Sequence, residues 1–231
     1  MQVSMFGQLS GAGTDSPIDA CVQNLAQLRD EGFRRVWISQ LPYEPDLLTV
    51  LAVALREIVT TRGALMIPGA PRPDVYIAAL GPQLLKIAGR RTAGTATWMT
   101  GPKTLAGHVV PSLRQAAADA GRQESDVRVV ASLPVAVTDD VDGARKRAAE
   151  QFAVYGVLPS YRTMLDREGY AGPEEAAIIG DEASVKDHLA ELRAAGVDEY
   201  VGATFDASPE ARAHTRAVLR QLDADGQKTL V

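Results

Sequence analysis

Six times along this chain an apolar run gives way to an amphipathic run with helical spacing. No other feature of the sequence constrains the fold as tightly. The apolar runs are "QVSMF", "RRVWIS", "VYIAAL", "GTATWM", "VRVVASLPVAV" and "DEYVGATF". Regular strand–helix alternation implies parallel strands joined by crossover helices. Most of these runs are apolar throughout, as expected where both faces of a sheet are covered. The sequence therefore predicts an α/β fold with a parallel sheet. Its 231 residues suit one large core or two small ones, and α/β barrels commonly run this long.

Local signals place the element ends. In "SPIDACVQNLAQLRDEG", Ser16 is a good N-cap, Pro17 suits the first helical position and Gly32 suits the stop. Ile18, Cys21, Val22, Leu25 and Leu28 recur at helical spacing and predict one buried stripe. "PDLLTVLAVALRE" reads as a second, largely buried helix. Asp139 or Asp140 is expected to cap the helix that follows the fifth strand, and Pro111 to kink the one that follows the fourth. "IVTTRGALMIPGAPRPD" has no sustained period and reads as a loop with one short extended piece. No linker composition divides the chain, so residues 1–231 are expected to form one domain.

Composition excludes some partners. The net charge is −5 and no basic run occurs, so nucleic acid has no electrostatic footprint. No apolar run is long enough to span a bilayer, and no leader pattern follows Met1. The single cysteine, Cys21, forbids an internal disulfide and suits a reducing cytosol. The expectation is a cytoplasmic protein with a small-molecule ligand and no nucleic-acid or membrane partner.

Two consecutive strands end in Gly-Pro, at Gly81–Pro82 and Gly101–Pro102. In α/β folds ligands sit at the carboxyl ends of the strands, where each strand turns into its helix. Glycine there permits close backbone approach, and proline fixes the helix start. The amides of Gln83 and Leu84, and of Lys103 and Thr104, would then point outward and favour an anion, phosphate above all. The plainer reading is a good helix start after a tight turn. Ser39 and Gln40 end the second strand on the same rim, where they either hydrogen-bond a heterocycle or are polar because the strand reaches water; Trp98 and Met99 end the fourth and either wall a flat ligand or pack in the core. His108, His188 and His214 fall inside helices without metal-ligand spacing.

Over most of its length the chain resembles the luciferase-like monooxygenase superfamily, specifically the oxidoreductases that use the deazaflavin coenzyme F420. The resemblance is carried by "VYIAALGPQLLKIAGRRTAGTATWMTGPKTLAGHVVPS", by "LPVAVTDDVDGARKRAAEQFAVYGVLPSYRTMLDREG" and by "IIGDEASVKDHLAELRAAGV". The earlier stretch "LRDEGFRRVWISQLPYEPDLLTVLAVALRE" matches the same group. It implies a TIM-barrel-like (β/α) fold with the coenzyme at the carboxyl end of the strands. It further implies tail contacts from Leu80, Gly81, Pro82 and Gln83, with Gly94, Thr95, Thr97 and Trp98 nearby. Ser39 and Gln40 would face the ring. Many relatives carry a histidine or an acid where this chain has Gln40, so a histidine-dependent proton transfer is not expected.

The resemblance also implies a deletion. After Glu57 the family continues with its third and fourth strand–helix units. This chain passes through Ile58 and Val59 directly to "VTTRGALMIPG". Two missing units amount to roughly 60–80 residues at ~30 or more per unit, which leaves about six strands. Unpaired edges invite pairing with a second copy, so a homodimer is expected. The implied activity is hydride transfer between F420 and a small organic substrate. The alternatives are an FMN-dependent enzyme, or a non-catalytic binder of a phosphorylated cofactor.

Overall fold

The computed structural model describes residues 1–7, 17–33, 35–37 and 74–228. They fall into two compact units, Met1–Val3 with Asp74–Val231, and Ser4–Pro73. Ser39, Gln40 and the junction at Ile58–Val59 lie outside the described residues.

In the smaller unit, strand β1 (Gln2–Phe6) pairs in parallel with β2 (Val36–Trp37), Met5 opposite Val36 and Phe6 opposite Trp37. Helix α1 (Pro17–Asp30) begins at the expected proline. Its stripe is buried at Val22, Leu25 and Leu28. Gly32 takes a left-handed φ of 92°. This lets Phe33 N–H reach back to Leu28 O and Gly32 N–H to Arg29 O, a Schellman stop.

The larger unit is built on a parallel sheet in the order β1-β7-β5-β4-β3, β1 contributing its first residues. The strands are β3 (Tyr76–Ala78), β4 (Gly94–Trp98), β5 (Arg128–Val137) and β7 (Glu199–Thr204). Central β5 is buried over nine of its ten residues, as its unbroken apolar run predicts. A short strand, β6 (Ile178–Gly180), pairs with Val135–Val137 of β5. Three residues carry too little pattern for the sequence to announce it. Val135 faces Ile178 on one side and Thr204 on the other. So β6 follows β4 along the same edge of β5, β4 having ended opposite Ser132.

That arrangement explains a proline in the central strand. Val129 exchanges hydrogen bonds with Asp198, on the β7 side, and Ser132 O accepts from Met99 N–H on the β4 side. Alternation then directs the position of Pro134 toward the β4 side. There it falls in the interval between β4 and β6, where no strand needs a donor.

The helices after the strands are α2 (Pro82–Arg91), α3 (Pro102–Thr104), α4 (Val110–Ala118), α5 (Val141–Gln151), α6 (Pro159–Glu168), α7 (Glu182–Ala194) and α8 (Pro209–Lys228). Asp140 is the cap of α5, accepting from Gly143 N–H at 3.0 Å. Between α3 and α4 the chain makes a π-turn, Leu105–Val109, in which Val110 N–H donates to Leu105 O. Pro111 follows at once. Instead of only kinking the helix at Pro111, the chain changes hydrogen-bond register one turn ahead of the residue that lacks an N–H.

Candidate functional site

The first Gly-Pro turn leaves an open helix start. Gly81 has an extended backbone (φ −84°, ψ 156°) and Pro82 opens α2. A Cβ on Gly81 would meet nothing within 4 Å. Leu85 N–H closes the first helical bond to Gly81 O. The amides of Gln83 and Leu84 bond to no other described residue, and both residues are exposed. The π-turn braces this junction from the side. His108 Nε2 lies 2.9 Å from Leu80 O, and must carry the proton there because a carbonyl only accepts.

The second Gly-Pro turn looks alike in sequence and is different in fact. Its amides already hold an anion, the carboxylate of Glu168 at the end of α6. Oε1 accepts from Lys103 N–H at 2.8 Å, and Oε2 accepts from Thr104 N–H at 3.0 Å. The Thr104 hydroxyl lies 3.2 Å from Oε2 and 3.3 Å from Met164 O. Glu168 and Thr104 are both buried. A Cβ on Gly101 would come within 2.4 Å of Glu168 Oε1, so glycine is needed for the carboxylate to enter. The expectation of outward-pointing amides at Lys103 and Thr104 is therefore corrected. The helix start does attract an anion, and the protein supplies it from 64 residues away.

Beside these turns stands an aromatic wall. Trp98, the last residue of β4, meets Phe152 at 6.0 Å and Tyr155 at 5.9 Å, both edge-on. Phe152 meets Phe205, just past β7, at 5.6 Å, and Tyr155 meets Tyr161 of α6 at 4.9 Å. Edge-to-face contacts of this kind fix ring orientation. Burial, and secondarily Tyr155, raises the Tyr161 phenol above its ordinary pKa. Met99 is fully buried at φ 55°, a left-handed conformation that a methionine adopts at a cost. It turns the chain sharply between Trp98 and the Thr100–Gly101 corner.

The sequence motif of the luciferase-like monooxygenases matches residues 54–199, well over half of the chain. The chain belongs to this family. Solved structures agree on the fold. The coenzyme F420-dependent tetrahydromethanopterin reductase from Methanopyrus kandleri is 19% identical, with a TM-score of 0.55 over 94% of this chain and 81% of that one. An F420-dependent secondary alcohol dehydrogenase in complex with an F420-acetone adduct is 14% identical, TM-score 0.55, over 94% and 77%. Apo-MsnO8 is 12% identical, TM-score 0.62, over 96% and 97%. No curated protein matches in sequence.

Within this luciferase-like chain the residues singled out by sequence separate into groups. Leu80, Gly81, Pro82, Gln83 and Trp98 gather at the carboxyl ends of β3 and β4. Gly94 stands at the amino end of β4, away from that rim. Its φ is 151°, and a Cβ would strike Arg128 O at 1.9 Å, so it serves strand packing. Thr95 and Thr97 are buried on the face opposite Ala96 and Trp98. Their hydroxyls donate to Ile77 O at 2.9 Å and Val130 O at 3.4 Å. Period-two geometry thus divides a set that looked contiguous in sequence. Glu168, His108, Tyr155 and Tyr161 were not singled out as site residues. Each reaches the rim across a gap that local periodicity does not encode.

A cavity of about 30 Å³ lies in the interval between β4 and β6, lined among others by Gly101, Leu133, Tyr170, Glu175, Ile178 and Glu191. It is water-sized. Burial first, then Glu168, Glu175 and Glu191, pushes the Tyr170 phenol up to about 12.

Proposed function

We propose that this luciferase-like chain is an F420-dependent oxidoreductase, transferring a hydride between the coenzyme and a small organic substrate. The observation that carries the reading is the open helix start at Gly81–Pro82 beside the aromatic wall at Trp98. Exposed amides at Gln83 and Leu84, with open space over Gly81, suit a phosphate on the tail. The half-buried Trp98 and Tyr155 suit a flat heterocycle. The coenzyme supplies the hydride, as cofactors carry the electronic work in such enzymes. The chain's own share is binding and orientation. Gln83 and Leu84 anchor an anion, His108 holds the turn that presents them, and the rings exclude water from the mouth. Two structural relatives are described as F420-dependent, which favours F420 over FMN. A single cysteine and a cytoplasmic home belong to the same proposal.

Titration of the purified chain with F420 and with FMN tests it. Saturable F420 binding, and loss of the oxidised coenzyme's visible absorbance when a secondary alcohol is supplied, supports the reading. Binding and turnover with FMN alone moves the assignment to a flavin enzyme. Binding without turnover across a panel of alcohols and imines makes the chain a binder.

A further inference from the structure

The contacts around Glu168 close a circuit. Trp98 leads through Met99 and Thr100 to Gly101, whose missing Cβ admits the Glu168 carboxylate. Glu168 ends α6. The same helix carries Tyr161, which packs on Tyr155, which packs on Trp98. The amides of Lys103 and Thr104 grip one end of the helix through Glu168, and the Thr104 hydroxyl reaches Met164 O one turn back. Charge-assisted bonds of this kind are stronger than neutral ones; the bond from Thr104 N–H is buried and the one from Lys103 N–H part-buried.

We propose that Glu168 is a positioning residue, whose carboxylate, seated in the amide cradle after β4, fixes α6 and so sets Tyr161 and Tyr155 against Trp98. That this wall faces the cofactor rests on the function proposed above; the positioning itself does not.

The chain has two tryptophans, so Trp37→Phe leaves Trp98 as the sole indole emitter. In that background Glu168→Ala releases the end of α6. The expected result is an unchanged far-UV circular dichroism spectrum, a red-shifted Trp98 emission and stronger acrylamide quenching. Glu168→Gln keeps an acceptor oxygen for the two amides and should restore the emission most of the way. If Glu168 merely satisfies a helix start, Glu168→Ala lowers the unfolding midpoint and leaves Trp98 emission and quenching unchanged, which overturns the proposal. Should Glu168→Ala not fold, the shorter carboxylate of Glu168→Asp, which falls short of the amides of Lys103 and Thr104, decides. Greater quenching of Trp98 in that variant supports the circuit, and unchanged quenching contradicts it. The readout needs no cofactor. A chain that binds neither F420 nor FMN yet shows the Trp98 response loses the proposed function and keeps this one.

Discussion

Gly81 and Gly101 sit in the same dipeptide and do different work. At Gly81 a methyl group would enter open space on an ordinary extended backbone. Gly81→Ala should therefore change unfolding stability by no more than about 0.5 kcal/mol, while weakening coenzyme binding if the proposed tail site is correct, because the added Cβ would project into it. At Gly101 the methyl group meets Glu168 Oε1 at 2.4 Å. Gly101→Ala should cost about 1–3 kcal/mol in urea unfolding, the usual cost of overpacking. Asp206 is buried just past β7. Burial raises its pKa, opposed by Thr215, Arg147 and Arg212. Its Oδ1 accepts from the Thr215 hydroxyl, and Thr215 in turn accepts from Val137 N–H. A carboxyl raised in the folded state favours folding while protonated. That contribution is present below the ordinary carboxylate range and is lost as pH rises through the folded value. The stability of Asp206→Asn relative to wild type should therefore increase from acid to neutral pH. Denaturation curves at both ends check this, and a difference that shrinks with pH would contradict it.

At the scale of elements, much was legible in the sequence. "QVSMF" is β1 residue for residue, Pro17, Pro82, Pro102, Pro159 and Pro209 each open a helix, and Asp140 caps one. These signals are local, so a single chain carries them. The π-turn was not legible in detail. Pro111 announces a disturbance, but the register change lies ahead of it, in the turn from which His108 reaches Leu80 O. Nor was the occupant of the second turn, since Glu168 acts across 65 residues on Lys103. His108→Ala should remove that brace at about 1 kcal/mol, the usual worth of one hydrogen bond. Faster hydrogen exchange at Leu85, whose amide closes the first turn of α2, measures the effect. Unchanged exchange would show that the junction stands without the imidazole.

For the whole molecule, the alternation of strands and helices was enough to give a parallel α/β sheet, and the motifs were enough to give the luciferase-like family. Among the described residues β3 has a strand neighbour on one edge only. Val75 beside it is 56% exposed, and Leu84 and Ile87 on α2 are 47% and 45% exposed. Apolar surface at a sheet edge favours association. If the expected homodimer forms, light scattering should return twice the 24.6 kDa chain mass; a monomer at all accessible concentrations would contradict that expectation. The proposed function places the coenzyme at the first of two similar turns. Amide-resolved NMR of the chain titrated with F420 tests it most directly. Gln83, Leu84 and the Trp98 indole should shift together while Lys103 and Thr104, held by Glu168, stay in place; shifts at Lys103 and Thr104 with Gln83 and Leu84 unmoved, or no shift at saturating F420, would contradict it.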